Sequence, residues 1–374
     1  MCTQATLPVP RAVSYRDPAH SHLTMANVFW DRLVLRAVTP QTGSIYLRER
    51  VSVPGDALGP LLHRLRESDR ANEWLVLSTC GRTEVYAVTP EGAPSEIEDV
   101  IAASLLAVCA KETSPTAWPV RASGVDAARH LLRVAGGIES IVLGDVQVVG
   151  QLRTAYAAAR AQSTAGPLLN RLCQAALHAG KRARAETGIA KGAASMAAAA
   201  VHLATTRAGG MKGRRVLILG GGQMGRAIAT ALSRQLCESV TVATRDPAAL
   251  TAAGGTRHAC AVSTESVAGL LPEADVVFTV SGTRTRLVTR QLVTRAMSHR
   301  ATRPLLILDL AMPREVDPGV AFVPGVVLVT LNMLEAAIER AAQVRSDSIL
   351  EVERIVDETL HRMLSWSPGI HRAA

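Results

Sequence analysis

Apolar positions along this chain repeat with two periods, and the periods alternate. Over residues 56–68, Leu58, Leu61, Leu62 and Leu65 fall at helical spacing. The same rhythm predicts helices over 95–110, 124–134, 151–163, 167–186 and 191–208, the last rich in alanine. Strand-like runs separate them. Residues 32–38 alternate, Leu75-Val76-Leu77 is continuously apolar, and Trp118–Arg121 makes a short strand. Residues 213–219, 239–243, 274–280 and 304–310 read as buried strands. Helices interleaved with strands in this way predict an α/β chain. From Leu331 to Trp366 one long amphipathic helix is written through Leu334, Ile338, Ala341, Ile349, Val352, Ile355, Val356, Leu360 and Met363. Its length suits either a strut packed across another domain or a partner-binding helix.

At 374 residues the chain is too long for one ordinary core. Residues 1–28, with Pro, Ser, His and Thr but no periodicity, predict a disordered lead, and Met25 is a possible start. The pattern then divides into an N-terminal domain over 29–165, linker helices with a second domain over 166–325, and the long helix within 326–374. A net charge of +9, mostly from arginine, suits an anionic partner such as RNA, although no dense basic run occurs. Six scattered cysteines without C-x-x-C spacing read as reduced thiols, with neither a disulfide frame nor a metal site. No signal-peptide layout and no 18-residue apolar run is present, so a soluble cytoplasmic protein is expected, with no membrane partner.

Two stretches carry chemistry. In the first, the strand ending at Leu77 gives way to Ser78-Thr79-Cys80-Gly81-Arg82. A cysteine attacks as its thiolate, and a neighbouring cation lowers the thiol pKa from about 8.5. Cys80 next to Gly81 and two residues before Arg82 is therefore a candidate nucleophile; the alternative is a small buried hydrophobe at a strand end. In the second, a strand feeds Gly220-Gly221-Gly222-Gln223-Met224-Gly225 and a helix follows, the G-x-G-x-x-G context of a Rossmann-type dinucleotide site. The turn built on Gly220, Gly222 and Gly225, with Gln223 and Met224 opening the helix, would cradle a pyrophosphate. After the next strand stand Thr244 and Arg245, not the acidic residue that takes a free ribose hydroxyl. A hydroxyl and a guanidinium suit a 2′-phosphate, so NADP(H) is preferred. Ser281-Gly282-Thr283 and Ala311-Met312-Pro313-Arg314 follow later strands and should line the same crevice. Between the two stretches, the apolar segment 136–151 embeds Glu139, Ser140, Asp145, Gln147 and Gln151, which must find hydrogen bonds or a ligand.

Four motifs in order resemble the glutamyl-tRNA reductase family, NADPH enzymes that begin tetrapyrrole synthesis by the five-carbon route. Leu77–Tyr86 is similar to the family's L-S-T-C-N-R-T-E-x-Y, and Gly137–Gln151 to G-L-D-S-M-V-L-G-E-P-Q-I-L-G-Q. Ala179–Ile189 resembles A-K-R-V-R-T-E-T-x-I, and Leu308–Arg314 resembles I-D-I-A-V-P-R. The resemblance runs from about residue 31 to 365. It implies that Cys80 takes the glutamyl group from glutamyl-tRNA as a thioester and that NADPH reduces it to glutamate-1-semialdehyde for a downstream aminomutase. It also implies substrate contacts from Thr42, Thr79, Arg82, Ser140, Asp145, Gln147 and Gln151, with Arg48 in the same first loop.

The chain also departs from the pattern. Thr39–Ser44 replaces N-H-K-T-A-P, Gly81 replaces Asn, Glu139 replaces Asp, and Asp145-Val146 replaces Glu-Pro. The family's upstream active-site histidine falls near Arg121 or Ala122, while His130 matches a structural one. The chain ends where a helical dimerisation domain would begin, so the family's dimer is not implied. These departures leave room for a diverged aminoacyl-tRNA reductase of secondary metabolism. An ordinary NADP dehydrogenase with a shikimate-dehydrogenase-like second domain and a non-catalytic tRNA- or partner-binding relative are the other readings.

Overall fold

The computed structural model describes residues 30–90, 96–109, 118–145, 147–189, 196–252, 259–283, 286–300, 303–341 and 346–364. The expected lead over 1–28, Val146, the start of the Ala-rich helix and the chain beyond Leu364 lie outside them. The described residues form two compact units. One holds residues up to Gly136, Val149–Ala185 and residues from Glu351; the other holds Gly137–Val148 and Glu186–Leu350. The contacts therefore group the chain otherwise than a division at 165 and 325.

The first unit opens with β1 (Leu33–Val38), α1 (Ile45–Val51), α2 (Leu58–Glu67), β2 (Glu73–Ser78), β3 (Thr83–Val88), α3 (Ile97–Cys109) and β4 (Val120–Ser123). Its sheet runs β2-β3-β1-β4, and every pairing is antiparallel. The opening strand–helix–strand, expected as the start of an α/β domain, belongs to a split unit in which β3 inserts between β1 and β2. The arrangement is ferredoxin-like. Sequence periodicity gives β1, β2 and β4 but neither β3 nor this order, since β3 pairs with one near and one distant strand. Three helices follow: α4 (Gly124–Gly136), α5 (Gln147–Ala161) and α6 (Pro167–Glu186). Helix α6 falls in the first unit up to Ala185 and buries a stripe of Leu168, Leu169, Leu172, Cys173 and Ala176. Its N-terminus is capped from far away. The Glu73 carboxylate accepts the N–H groups of Leu168 at 3.1 Å and Leu169 at 2.7 Å. Burial nevertheless pushes the Glu73 carboxyl above its ordinary pKa.

The second unit contains α7 (Met196–Ala208), β5 (Arg215–Leu219), α8 (Gln223–Leu232), β6 (Ser239–Thr244), α9 (Pro247–Ala252), β7 (Cys260–Ser263), α10 (Val267–Leu270), β8 (Val276–Thr279), α11 (Arg290–Ser298), β9 (Leu305–Asp309), β10 (Val326–Thr330) and α12 (Leu331–Ala341). Its sheet is parallel throughout, in the order β7-β6-β5-β8-β9-β10. Counted within the unit this is 3-2-1-4-5-6, the doubly wound order of dinucleotide-binding domains. Strands β5, β8 and β9 are buried on both faces, and Leu217, Leu219, Val277, Leu305 and Ile307 form the core with Val293 and Ala296 of α11. Each of the Val, Leu and Ile side chains contributes about 1.5–3 kcal/mol by leaving water. Part of the arginine excess is structural: buried Arg300 donates to the carbonyls of Pro272 (2.9 Å), Pro304 (2.8 Å) and Leu271 (3.3 Å).

The last helical stretch, expected as one helix, is described as α12 and α13 (Ser346–Leu364), with 342–345 outside the described residues. From Glu351 onward α13 belongs to the first unit. It buries Val352, Ile355, Val356, Leu360 and Met363. Its acidic residues pair with α4 and α6: Asp357 with Arg129, Glu353 with Arg133, and Glu358 with Arg182 at 3.0 Å.

Candidate active site

The Cys80 stretch is the turn of a β-hairpin. Ser78 of β2 pairs with Thr83 of β3, so Thr79, Cys80, Gly81 and Arg82 form the tip. The Thr79 N–H donates to the Arg82 carbonyl at 2.8 Å. The Thr79 hydroxyl accepts from Gly81 N–H (3.2 Å) and Arg82 N–H (3.3 Å). Thr79 thus folds the tip locally, and Cys80 sits on it half-buried and reduced. Because Val38 of β1 pairs with Thr83, the loop after β1 lies at the same end of the sheet. There Thr42 closes a turn on Thr39: the Thr42 hydroxyl accepts the Thr39 N–H at 3.2 Å, and the Gly43 N–H donates to the Thr39 carbonyl at 2.9 Å. Arg48 on α1 is buried, and Gln151 on α5 is half-buried.

Behind the tip lies a charged network that the motif reading missed. Arg82 is buried and donates through Nη1 to Glu84 Oε1 at 2.9 Å. Tyr86 donates its hydroxyl to Glu84 Oε2 at 2.7 Å, and His130 Nε2 of α4 lies 3.1 Å from Oε1. Burial alone would raise the Glu84 pKa; His130 and Arg82 overcome it and hold the carboxyl at about 2. Burial and the Glu84 charge push the Tyr86 phenol well above its ordinary value. The structural reading of His130 fits this position. The signal in the sequence was the i, i+2, i+4 spacing of Arg82, Glu84 and Tyr86, which puts three polar groups on one strand face. Arg121, near the family's missing histidine, lies on β4 and pairs with Glu98 at 2.6 Å.

The polar block divides between the units. Gly137–Val148, with Ser140, Asp145 and Gln147, belongs to the second unit, whereas Thr42, Thr79, Cys80, Arg82 and Gln151 belong to the first. The block is closed by Gly144 N–H to the Gly137 carbonyl (3.0 Å). Asp145 Oδ1 accepts the Gln147 N–H at 2.9 Å and so caps α5. Ser140 is half-buried and Gln147 buried.

In the second unit the glycine turn sits between β5 and α8, at the point where strand order reverses. Gly220 has φ +124°, and a Cβ there would lie 2.7 Å from the Ser281 nitrogen. A Cβ on Gly225 would run into the Gly220 carbonyl oxygen. Gly222 begins α8 with open space around its Cβ position. Gln223 and Met224 form the first turn of α8, and a Cβ on Gly221 would lie 2.9 Å from Thr244 Oγ1. Arg245 is exposed, and the next residue, Asp246, caps α9 through the Ala249 N–H (2.9 Å). The backbone is thus cleared where a pyrophosphate approaches, and a hydroxyl and a cation stand at the end of β6, so these residues fit a phosphorylated dinucleotide.

The opposite wall, Ser281–Thr283, is held by a residue the sequence did not single out, Glu315. Burial pushes both Glu315 and its neighbour Asp309 above the ordinary carboxylate range. Among the described residues no group of three or more His, Cys, Asp or Glu is placed to hold a metal ion, and no helix is long and apolar enough to cross a membrane.

Fold and site define a dinucleotide-dependent oxidoreductase that carries a cysteine-tipped ferredoxin-like unit. A family model for the N-terminal domain of glutamyl-tRNA(Glu) reductase matches residues 37–187, and one for shikimate/quinate 5-dehydrogenase matches 202–337. Glutamyl-tRNA reductase 2 of Anaeromyxobacter dehalogenans is 35% identical over 328 residues, covering 87% of this chain and 71% of that relative. Glutamyl-tRNA reductase of Deinococcus radiodurans is 34% identical over 334 residues, covering 89% and 92%. The solved glutamyl-tRNA reductase of Methanopyrus kandleri is 28% identical, covers 89% of this chain and 79% of its own, and superposes with a TM-score of 0.47. The chain belongs to the glutamyl-tRNA reductase family.

Proposed function

We propose that this protein reduces the glutamyl group of glutamyl-tRNA to glutamate-1-semialdehyde with NADPH, the first committed step of five-carbon tetrapyrrole synthesis. The observation that carries the reading is Cys80 on the hairpin tip, half-buried on a turn two residues before Arg82. The first unit takes the acyl chemistry and the second the cofactor. Cys80 Sγ, as thiolate, attacks the ester carbonyl carbon. The C–S bond forms, the C–O bond to the terminal ribose breaks, and the tRNA leaves as its hydroxyl after taking up a proton. NADPH, when bound, supplies the hydride that turns the thioester carbon into the aldehyde. Cys80 then departs as thiolate and is ready for another turnover.

Arg82 pairs with the substrate carboxylate, its planar fork oriented by Glu84 on Nη1. Thr42 and Gln151 of the first unit supply further polar contacts to the glutamyl group, and Ser140, Asp145 and Gln147 are assigned to substrate by the family resemblance. Thr79 serves through the turn it folds. Gly220, Gly222, Gln223, Met224 and Gly225 hold the pyrophosphate, and Thr244 and Arg245 the 2′-phosphate. The aldehyde product is one that a downstream aminomutase would take.

Single turnover with charged glutamyl-tRNA tests the reaction. Without cofactor, a thioester should accumulate on the protein; NADPH should then convert it to aldehyde. No thioester and no aldehyde would refute the reading. The cofactor assignment has its own test. Arg245→Ala removes a charge-assisted contact and should weaken NADPH binding by about ten- to a hundred-fold. NADH binding should stay nearly unchanged, and equal losses for both would overturn the 2′-phosphate role.

A further inference from the structure

The segment after β8 has no secondary structure over Val280–Thr283, yet it walls the crevice where strand order reverses. Contact with the glycine turn leaves it little latitude, since a Cβ on Gly220 would already lie 2.7 Å from the Ser281 nitrogen. One buried side chain fixes it. Glu315, fully shielded from solvent, accepts the Thr283 N–H at 2.9 Å, the Ser281 N–H at 3.4 Å and the Thr283 hydroxyl at 3.3 Å. It also accepts the Ser281 hydroxyl. The Glu315 main-chain carbonyl accepts the Val288 N–H at 3.2 Å, so one residue ties down both ends of the segment 281–288. Glu315 is itself anchored: Asp309 at the end of β9 accepts the N–H groups of Glu315 (3.4 Å) and Val316 (3.2 Å) and the Thr279 hydroxyl (2.6 Å). A chain of two buried carboxylates therefore runs from the ends of β8 and β9 to the crevice wall. Packing alone needs no carboxylate here, and burying one is costly unless donors surround it. What these donors add is a defined backbone position for Ser281–Thr283.

We propose that Glu315 is the positioning residue for the nicotinamide half of the dinucleotide site, holding the Ser281–Thr283 wall at a working distance from the Gly220–Gly225 turn. The inference rests on the assignment of a nicotinamide dinucleotide to this unit. In a sheet of this order each half takes one mononucleotide across the switch point. Strands β5–β7 with Thr244 and Arg245 take the adenosine side, so the wall after β8 borders the other.

The test uses the full chain with Glu315→Gln, which keeps the size of the side chain but turns an acceptor oxygen into an NH2 that faces donors. Fluorescence titration with NADPH and with NADH, without tRNA, should show both dissociation constants raised by about ten-fold or more, and to the same extent. Acylation of Cys80 by glutamyl-tRNA without cofactor should stay within about two-fold of the parent, because Glu315 belongs to the other unit. Glu315→Asp, which retains the charge, should recover part of the loss. A folded Glu315→Gln chain that binds NADPH within about two-fold of the parent would overturn the inference. So would a loss for NADPH alone, which would point to the 2′-phosphate. If Glu315→Gln does not fold, Ser281→Ala decides: a several-fold weaker affinity for both nucleotides supports the inference, and unchanged affinity overturns it. A parent chain that binds neither nucleotide would refute the cofactor assignment itself.

Discussion

Replacing Cys80 by serine is expected to abolish acyl-enzyme formation and to lower turnover by at least about a thousand-fold, the scale seen when a covalent nucleophile is removed. The hairpin tip is held by Thr79 and by the Ser78–Thr83 pairing, so the smaller oxygen leaves the local structure intact. What is lost is nucleophilicity, because a serine hydroxyl stays protonated where a cysteine ionises in part. The other described thiols do not compete for this role in the first unit. Cys109 is buried at the end of α3, and burial pushes the Cys173 thiol far above its ordinary value. Cys237 and Cys260 belong to the second unit. Mass spectrometry of protein quenched after mixing with glutamyl-tRNA should show the glutamyl adduct on the peptide carrying Cys80 and none in the serine variant. Full aldehyde formation by the serine variant would eliminate the thioester route.

The chemistry of each unit was more legible than its topology, and the reason is range. Gly220–Gly225 could be read because a strand, a turn and a helix start lie within one local stretch; a Cβ on Gly225 would meet the Gly220 carbonyl and one on Gly220 the backbone of Ser281, whereas Gly222 has open space. Cys80 stands out as a candidate because a buried strand stops abruptly beside Gly81 and Arg82. The helix at Pro167–Glu186 was legible from periodicity, but its cap was not, since Glu73 reaches it from the first residue of β2. Similarly, β3 inserts between β1 and β2 through pairings that no local period encodes. The polar block 137–151 read as one pocket-lining motif, yet contacts assign Gly137–Val148 to the second unit. Glu315 escaped notice because the wall residues its carboxylate holds, Ser281 and Thr283, lie more than thirty residues earlier.

Of the Glu84 partners only His130 is distant in sequence, and replacing Glu84 is expected to be the most destabilising single change in the first unit. Glu84→Gln removes the negative charge from the buried Arg82–Glu84 pair, and breaking one side of a buried ion pair costs about 3–5 kcal/mol. The pH dependence carries an independent signature. The folded-state pKa of about 2 lies below the ordinary 4.5, so the group's contribution is fully present above the unfolded value. It is lost as pH falls from about 4.5 through about 2. That shift corresponds to roughly 3 kcal/mol. Urea unfolding at neutral pH should therefore show a lower midpoint for Glu84→Gln, and the difference from the parent should shrink as the medium is acidified through that window. A variant as stable as the parent at neutral pH, or a gap that widens on acidification, would contradict the network as described. The consequence for chemistry follows from the register of β3. Arg82, Glu84 and Tyr86 share one face, and Arg82 is the last residue of the hairpin tip. Loosening Glu84 therefore frees the guanidinium two residues from Cys80, and acylation of Cys80 should slow even at temperatures where the variant remains folded.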